Sequence, residues 1–297
     1  MKLSLGPLLY LWSREKIIDF YTQIADTPVD IIYLGEVICS KRRSMKLADW
    51  ISLGRELSAN GKQVVLSTLA LMEAESELST LRKIVNNNEF MVEANDMAAV
   101  QLLSGSSFIA GPHINCYNNM TMSLLNKSGA IRWVMPVELS REALVELQSA
   151  RPEKMETEVF AFGRLPLSFS ARCFTARANG KTKDECAFIC GEFEDGLTIH
   201  TQEEKPFLTL NGIQMQSAST CNLIGAVNEC QALGVDVLRI SPQTQGMETI
   251  INSYHRVLNE KLSVNEAEKI ISDFLSVEPC NGYWYNQPGM EWTKTPV

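Results

Sequence analysis

The sequence predicts an α/β fold: a (β/α)8 TIM-like barrel with a cysteine-bearing insertion after its seventh strand. Three observations carry that prediction. Eight apolar, strand-like runs alternate with segments of helical spacing along 297 residues. Eight strands in about 250–300 residues suit one closed barrel. No strand is followed by Gly-x-Gly-x-x-Gly, the phosphate cradle of the open doubly wound sheet that is the main rival. A composition 45% hydrophobic and 21% charged gives ample core for a single domain over residues 1–297.

The elements follow in order. Leu3 to Leu11, interrupted by Gly6-Pro7, reads as a buried first strand. Ser13 caps a helix marked by Ile17, Ile18, Tyr21 and Ile24. Asp30 to Gly35 is a continuous apolar strand of the parallel-sheet kind, followed at once by Glu36 and Cys39. Leu47, Trp50, Ile51 and Leu57 mark the next helix, which Gly61 closes. Gln63 to Leu69 is strand three, with Leu78, Leu81 and Ile84 on its helix. Strand four is Glu89 to Ala94, and strand five is Ser107 to Ala110, entering Gly111-Pro112-His113. Ile131 to Met135 is strand six, followed by Pro136, Glu138 and a helix capped by Ser140. Glu156 to Phe162 is strand seven. An insertion over about 173–206 interrupts there, and Phe207 to Leu210 resumes extended structure. Val235 to Ile240 is strand eight. Helices over Met247 to Leu258 and around Ile270, Ile271 and Phe274 precede a tail from about Cys280.

Charge narrows the function. The net charge of −8 and a pI of about 5.1 disfavour a nucleic-acid surface. No apolar run reaches the roughly 18 residues of a spanning helix. The start, Met1-Lys2 followed by Leu3 to Trp12, lacks a small-residue cleavage site and contains Pro7, so it reads as a strand and not as a secretion signal. A cytoplasmic protein is expected. There, thiols stay reduced and clustered cysteines are more often metal ligands than disulfides.

Cys173, Cys186 and Cys190, three of the eight cysteines, fall within 18 residues. Around them lie Arg172, Arg177, Lys181, Lys183, Asp184 and Glu185, with little to bury, so a metal centre is the natural means of ordering the segment. Cys39 follows strand two as the other three follow strand seven, placing all four at the strands' C-terminal ends, where barrel enzymes keep their sites. Four thiolates fit zinc or an iron–sulfur cluster; the scattered spacing lacks the Cys-x2-Cys knuckles of zinc modules and suits a cluster somewhat better. Cys221 and Cys230 lie in or beside a helix-like stretch and read as small core hydrophobes. Cys116 either lines the site or is a packed loop thiol, Cys280 either sits near the mouth or anchors the tail, and both are placed outside the ligand set.

No general base is assignable. His113 is the one histidine at a strand's end, and Glu36, Glu93 and Glu138 are carboxylates in equivalent places. Arg172 and Arg177 flank Cys173, where they would stabilise a thiolate or grip a carboxylate. The catalytic candidates are therefore Glu36, His113, Arg172 and Arg177. Gly-x-Ser-x-Gly, His-Glu-x-x-His and Gly-x-x-x-x-Gly-Lys-Ser/Thr are all absent, so hydrolase chemistry has no motif support.

Glu158-Val159-Phe160-Ala161-Phe162-Gly163, followed by Ser170-Ala171-Arg172-Cys173-Phe174, resembles the signature of the so-called peptidase U32 family. Where that signature usually carries a further cysteine shortly after the glycine, this chain has Leu165-Pro166. Gly35 to Arg43 with Cys39, and Lys183-Asp184-Glu185-Cys186 with Cys190, supply replacements and resemble the family's branch in oxygen-independent ubiquinone biosynthesis. Leu66 to Ala70, Asn115 to Asn118, Met135 to Ser140 and Cys280 to Trp284 extend the likeness over nearly the whole chain. The resemblance implies a [4Fe–4S] cluster on Cys39, Cys173, Cys186 and Cys190. It also implies a heterodimer with the related protein UbiU, and hydroxylation of the ubiquinone-precursor ring without molecular oxygen. Related U32 proteins hydroxylate RNA bases with prephenate as apparent oxygen donor, so prephenate is the implied co-substrate. Two alternatives stand beside this reading: a zinc-stabilised scaffold without chemistry of its own, and an RNA-base-hydroxylating U32 enzyme.

Overall fold

Strand β1 (Lys2–Leu5) ends where Gly6 donates its N–H to the Ile240 carbonyl at 2.8 Å and Pro7 has no N–H to continue the ladder. The apolar run that the sequence extends to Leu11 is thus a strand only in its first half. Leu8, Leu9, Tyr10 and Trp12 are buried in the loop that follows. The computed structural model describes residues 1–294.

The following strands are β2 (Ile31–Leu34), β3 (Gln63–Ser67), β4 (Met91–Ala94), β5 (Phe108–Ala110), β6 (Ala130–Val134) and β7 (Glu156–Phe169), each parallel to its predecessor. The last of the ring, β11 (Val237–Ile240), pairs in parallel with both β7 and β1, closing an eight-stranded barrel. Helices α1 (Arg14–Ala25), α2 (Leu47–Ala59), α3 (Glu75–Val85), α6 (Arg141–Ser149), α8 (Val227–Ala232), α9 (Met247–Leu258) and α10 (Val264–Ser272) follow the chain between and after these strands. Two more helices, α4 (Met97–Leu103) and α5 (Asn119–Ser128), are not anticipated from the sequence. The Asp96 and Asn118 side chains start them, accepting from the N–H groups of Ala98 and Thr121.

Beyond Phe162 the chain leaves the ring. Gly163, at φ +131°, turns β7 outward, and its outer half pairs antiparallel with β10 (Gln214–Asn222). Strands β9 (Pro206–Asn211) and β8 (Leu197–His200) complete a small antiparallel sheet outside the barrel, and α7 (Phe174–Ala178) lies in the same excursion. Among the described residues no helix is long and apolar enough to cross a membrane.

Side chains on alternate strand positions divide the interior. Leu3, Leu5, Ile32, Leu34 and Leu66 face the helices. Ile31, Tyr33, Val65, Ile109, Val134 and Val237 form a separate cluster, and charge fills the remaining interior. The Glu158 carboxylate accepts from Arg239 Nε at 2.7 Å, Ser4 Oγ at 2.6 Å and the Tyr33 hydroxyl at 2.5 Å. Arg239 also donates to Glu93 at 2.7 Å, and Glu93 accepts from Ser67 at 2.6 Å. Burial works against an ionised Glu158, but the guanidiniums of Arg239 and Arg132 outweigh it and hold its pKa below the usual carboxylate value. The barrel axis is a filled ionic core, so chemistry belongs at the rim.

Candidate metal centre

Two loops from opposite parts of the sequence build one site. After β2, Gly35 passes so close to β3 that a Cβ would lie 2.6 Å from the Ser67 carbonyl oxygen, and its φ is +126°. The Glu36 carboxylate then accepts from the N–H groups of Ile38 at 2.9 Å and Cys39 at 3.0 Å, while Arg42 N–H bonds the Cys39 carbonyl at 3.0 Å. Val37 and Ile38 are fully buried against Leu9, Cys173 and Ile213, which anchors the turn carrying Cys39.

The second loop begins at Cys173, the residue that caps α7; its sulfur accepts from Ala176 N–H at 3.4 Å. Cys186 and Cys190 are separated by Ala187 and Phe188, at φ +46° and +56°, and then Ile189. Left-handed backbone at two successive residues that are not glycine costs about 1–3 kcal/mol each. This tight reversal lets two cysteines with only three residues between them face one pocket.

That pocket is lined by Cys39, Cys173, Cys186 and Cys190 together with Lys41, Arg42, Lys183, Phe188, Ile189 and Gly212. The fold has therefore brought together all four cysteines that the sequence singles out. Arg42 is buried beside them. Its Nη1 donates to the Leu9 carbonyl at 2.6 Å and its Nη2 to Asn211 at 2.8 Å; Glu36 lies 3.8 Å away. Its Nε is buried without a partner. Gly212 makes room for it: at φ +63°, a Cβ would sit 2.8 Å from the guanidinium. Lys41 bonds the Lys183 carbonyl at 3.0 Å and Asp184 at 2.8 Å, and Lys183 pairs with Glu73.

Burial raises the thiol pKa values of Cys39, Cys173 and Cys190, and Arg42 opposes the rise at each. A bound cation would reverse the balance, because metal ligation deprotonates thiols. Four sulfur donors around a buried guanidinium with one unpaired N–H are compatible with an anionic metal–thiolate centre. Among the described residues no three His, Cys, Asp or Glu side chains converge as ligands of a single ion. The four thiols line one pocket.

The other candidates lie elsewhere. Glu36 serves the backbone of the Cys39 turn; burial raises its pKa, with Arg42 and the two N–H groups pulling it back. His113 packs edge-on against Phe169, ring centroids 4.7 Å apart. Burial and then the Arg239 charge push its pKa down to about 3, so it is neutral. Arg172 and Arg177 are exposed and do not line the thiol pocket. Glu93 belongs to the barrel's ionic core, and exposed Glu138 accepts from the Tyr117 hydroxyl at 3.1 Å. Cys116, Cys221, Cys230 and Cys280 are buried away from the pocket, the backbones of Cys221 and Cys280 bridging to each other. The cations at the thiols are Arg42, Lys41 and Lys183, to none of which the sequence assigns a role at the site. The signal was present: Lys41-Arg42-Arg43 stands two residues after Cys39.

The profile of Peptidase family U32 matches residues 12–294. Among solved structures, a U32 peptidase aligns over 82% of this chain and 94% of its own, with 14% identity and a TM-score of 0.45. HPPK-DHPS of Plasmodium falciparum aligns over 94% of this chain and 48% of its own, with 10% identity and a TM-score of 0.41. Phospho-2-dehydro-3-deoxyheptonate aldolase of Thermotoga maritima aligns over 94% and 71%, with 11% identity and a TM-score of 0.36.

Proposed function

This chain belongs to peptidase family U32, and from that premise we propose that it is the iron–sulfur subunit of an oxygen-independent hydroxylation system. On this reading it is a cytoplasmic protein of the UbiV branch that acts on the ubiquinone-precursor ring together with UbiU. The observation that supports the reading is the meeting of Cys39 with Cys173, Cys186 and Cys190 in one pocket around Arg42. A single tetrahedral zinc draws its sulfurs to about 2.3 Å from one point. A [4Fe–4S] cluster would take one thiolate on each of its four irons, and four cysteines line this pocket.

Held by those four cysteines, a [4Fe–4S] cluster supplies one-electron chemistry. The chain's own residues do the rest. Arg42 offsets thiolate charge without a proton to lose, since guanidinium stays charged. Lys41 and Lys183 offer donors to a carboxylate co-substrate such as prephenate at the same pocket. Neutral His113 offers a hydrogen bond at the barrel mouth and no acid function. Among the described residues no histidine side chain hydrogen-bonds a serine, threonine or cysteine, and the proposal assigns the chain no peptidase chemistry.

The deciding experiment is anaerobic co-expression with UbiU, followed by metal and sulfide analysis and assay of quinone intermediates. A brown one-to-one complex with about four irons per copy of this chain is expected, together with a hydroxylated quinone precursor. Colourless protein containing zinc would establish the scaffold alternative. A deletion strain with normal ubiquinone and missing hydroxylated nucleosides would establish the RNA alternative.

A further inference from the structure

We propose that the groove between α2 and α3 is a binding site for an amphipathic small molecule with a hydrocarbon tail and an anionic head. Its role as the substrate's site rests on reading the thiol pocket as the reaction centre; the binding itself does not. The groove encloses about 840 Å³, within the roughly 300–1,000 Å³ usual for small-molecule sites. Leu34 and Leu66, from the ends of β2 and β3, line it with Trp50 of α2, Leu81 of α3, and Leu69 and Met72 of the loop between β3 and α3. That apolar lining recognises a tail.

Two observations fix the head. Lys41, Arg42 and Lys183 line both the groove and the thiol pocket, so the two adjoin at these residues. The carboxylates along the groove are already engaged: Glu73 with Lys183, Asp184 with Lys41, Glu36 with its own loop's N–H groups, and Glu77 with the N–H of Ala74 at the start of α3. Arg43, Lys46 and Lys83 line the same groove without an ion pair among the described residues. Six lysine and arginine side chains and four carboxylates line the groove, so its net charge is positive, and Arg43 stands next to Arg42 in the chain. An anionic head there would place the adjoining atoms of the molecule toward the four cysteines, with the tail running between the helices.

Trp50, 8% exposed in the groove wall, is the reporter. Full-length protein, prepared anaerobically with its iron measured in every sample, is titrated with 4-octylbenzoate, benzoate and 4-octylbenzyl alcohol while tryptophan fluorescence is followed. We expect 4-octylbenzoate to quench, the other two to bind at least tenfold more weakly, and Trp50→Phe to lose the signal. Met72→Glu should weaken 4-octylbenzoate at least tenfold with iron unchanged, whereas Met72→Leu should bind like the wild type. Arg43→Ala with Lys46→Ala should bring 4-octylbenzoate down to the affinity of the neutral alcohol. Equal binding of benzoate and 4-octylbenzoate, or unaltered binding by Met72→Glu, would overturn the proposal. So would exclusion of the probe by stoichiometric UbiU, which would make the groove a partner interface. Tail-dependent binding to protein that never holds iron would uphold the groove and remove only the reaction centre.

Discussion

Arg42 ties the loop after β1 to the Cys39 turn and the β9–β10 turn through its bonds to the Leu9 carbonyl and Asn211. Cys39, Cys173, Cys186 and Cys190 line one pocket with Arg42, and on the proposed reading their losses should be equivalent. Cys39→Ala is expected to lose iron and colour as fully as Cys173→Ala, Cys186→Ala or Cys190→Ala, checked by iron analysis and visible absorbance of anaerobic preparations. Cys116→Ala, Cys221→Ala, Cys230→Ala and Cys280→Ala should keep both, at about 1 kcal/mol of packing. Full iron in Cys39→Ala would break the two-loop centre. His113 tests the rim differently. With its folded pKa at about 3 and an unfolded value near 6.5, the unfolded chain binds the extra proton in that window. Stability then rises with pH, is complete above the unfolded value, and falls by up to about 1.4 kcal/mol per unit as pH drops below it. Urea midpoints between pH 5 and 7 should show this slope in the wild type and a shallower one in His113→Phe; identical slopes would mean the imidazole is solvated.

Among the elements, β7 does two jobs. Its first half is a ring strand, and its second half is the edge from which the cysteine-bearing excursion hangs, with Gly163 as the bend between them. A Cβ there would lie 2.5 Å from Ser241 Cβ, at a φ of +131°. Gly163→Ala should therefore cost about 2 kcal/mol or more, read as a lowered denaturation midpoint; an unchanged midpoint would show that the bend adapts freely. The same strand shows where sequence reasoning stops. The apolar run to Phe162 marks the ring half, but Gly163 and Pro166 punctuate the outer half like a loop, and only its partner β10, some fifty residues on, makes it a strand. Likewise β1 looks longer than it is, because Leu8 to Trp12 are apolar for burial in a loop and not for pairing.

At the scale of the whole molecule, the barrel was readable because period and order suffice: eight runs, alternation and length determine a parallel ring. The placement of Cys39 with the later cysteines was readable by the same geometry, since both strands open onto one rim. Arg42 and the groove were not, because each depends on which residues from distant loops end up side by side. The ring itself closes through backbone pairing of β11 with β1 and β7, and none of the four thiols takes part in that closure. For the proposed iron–sulfur protein this implies an order of maturation. On that reading the polypeptide completes its barrel before any iron arrives, and a cluster would then clasp two loops that the closed ring already holds. Protein stripped of metal by a chelator should therefore keep its far-ultraviolet circular dichroism and a cooperative melt. It should also regain colour from ferrous iron and sulfide under argon without passing through denaturant. If it reloads only after unfolding and refolding, the clasp is built into the fold and not added to it.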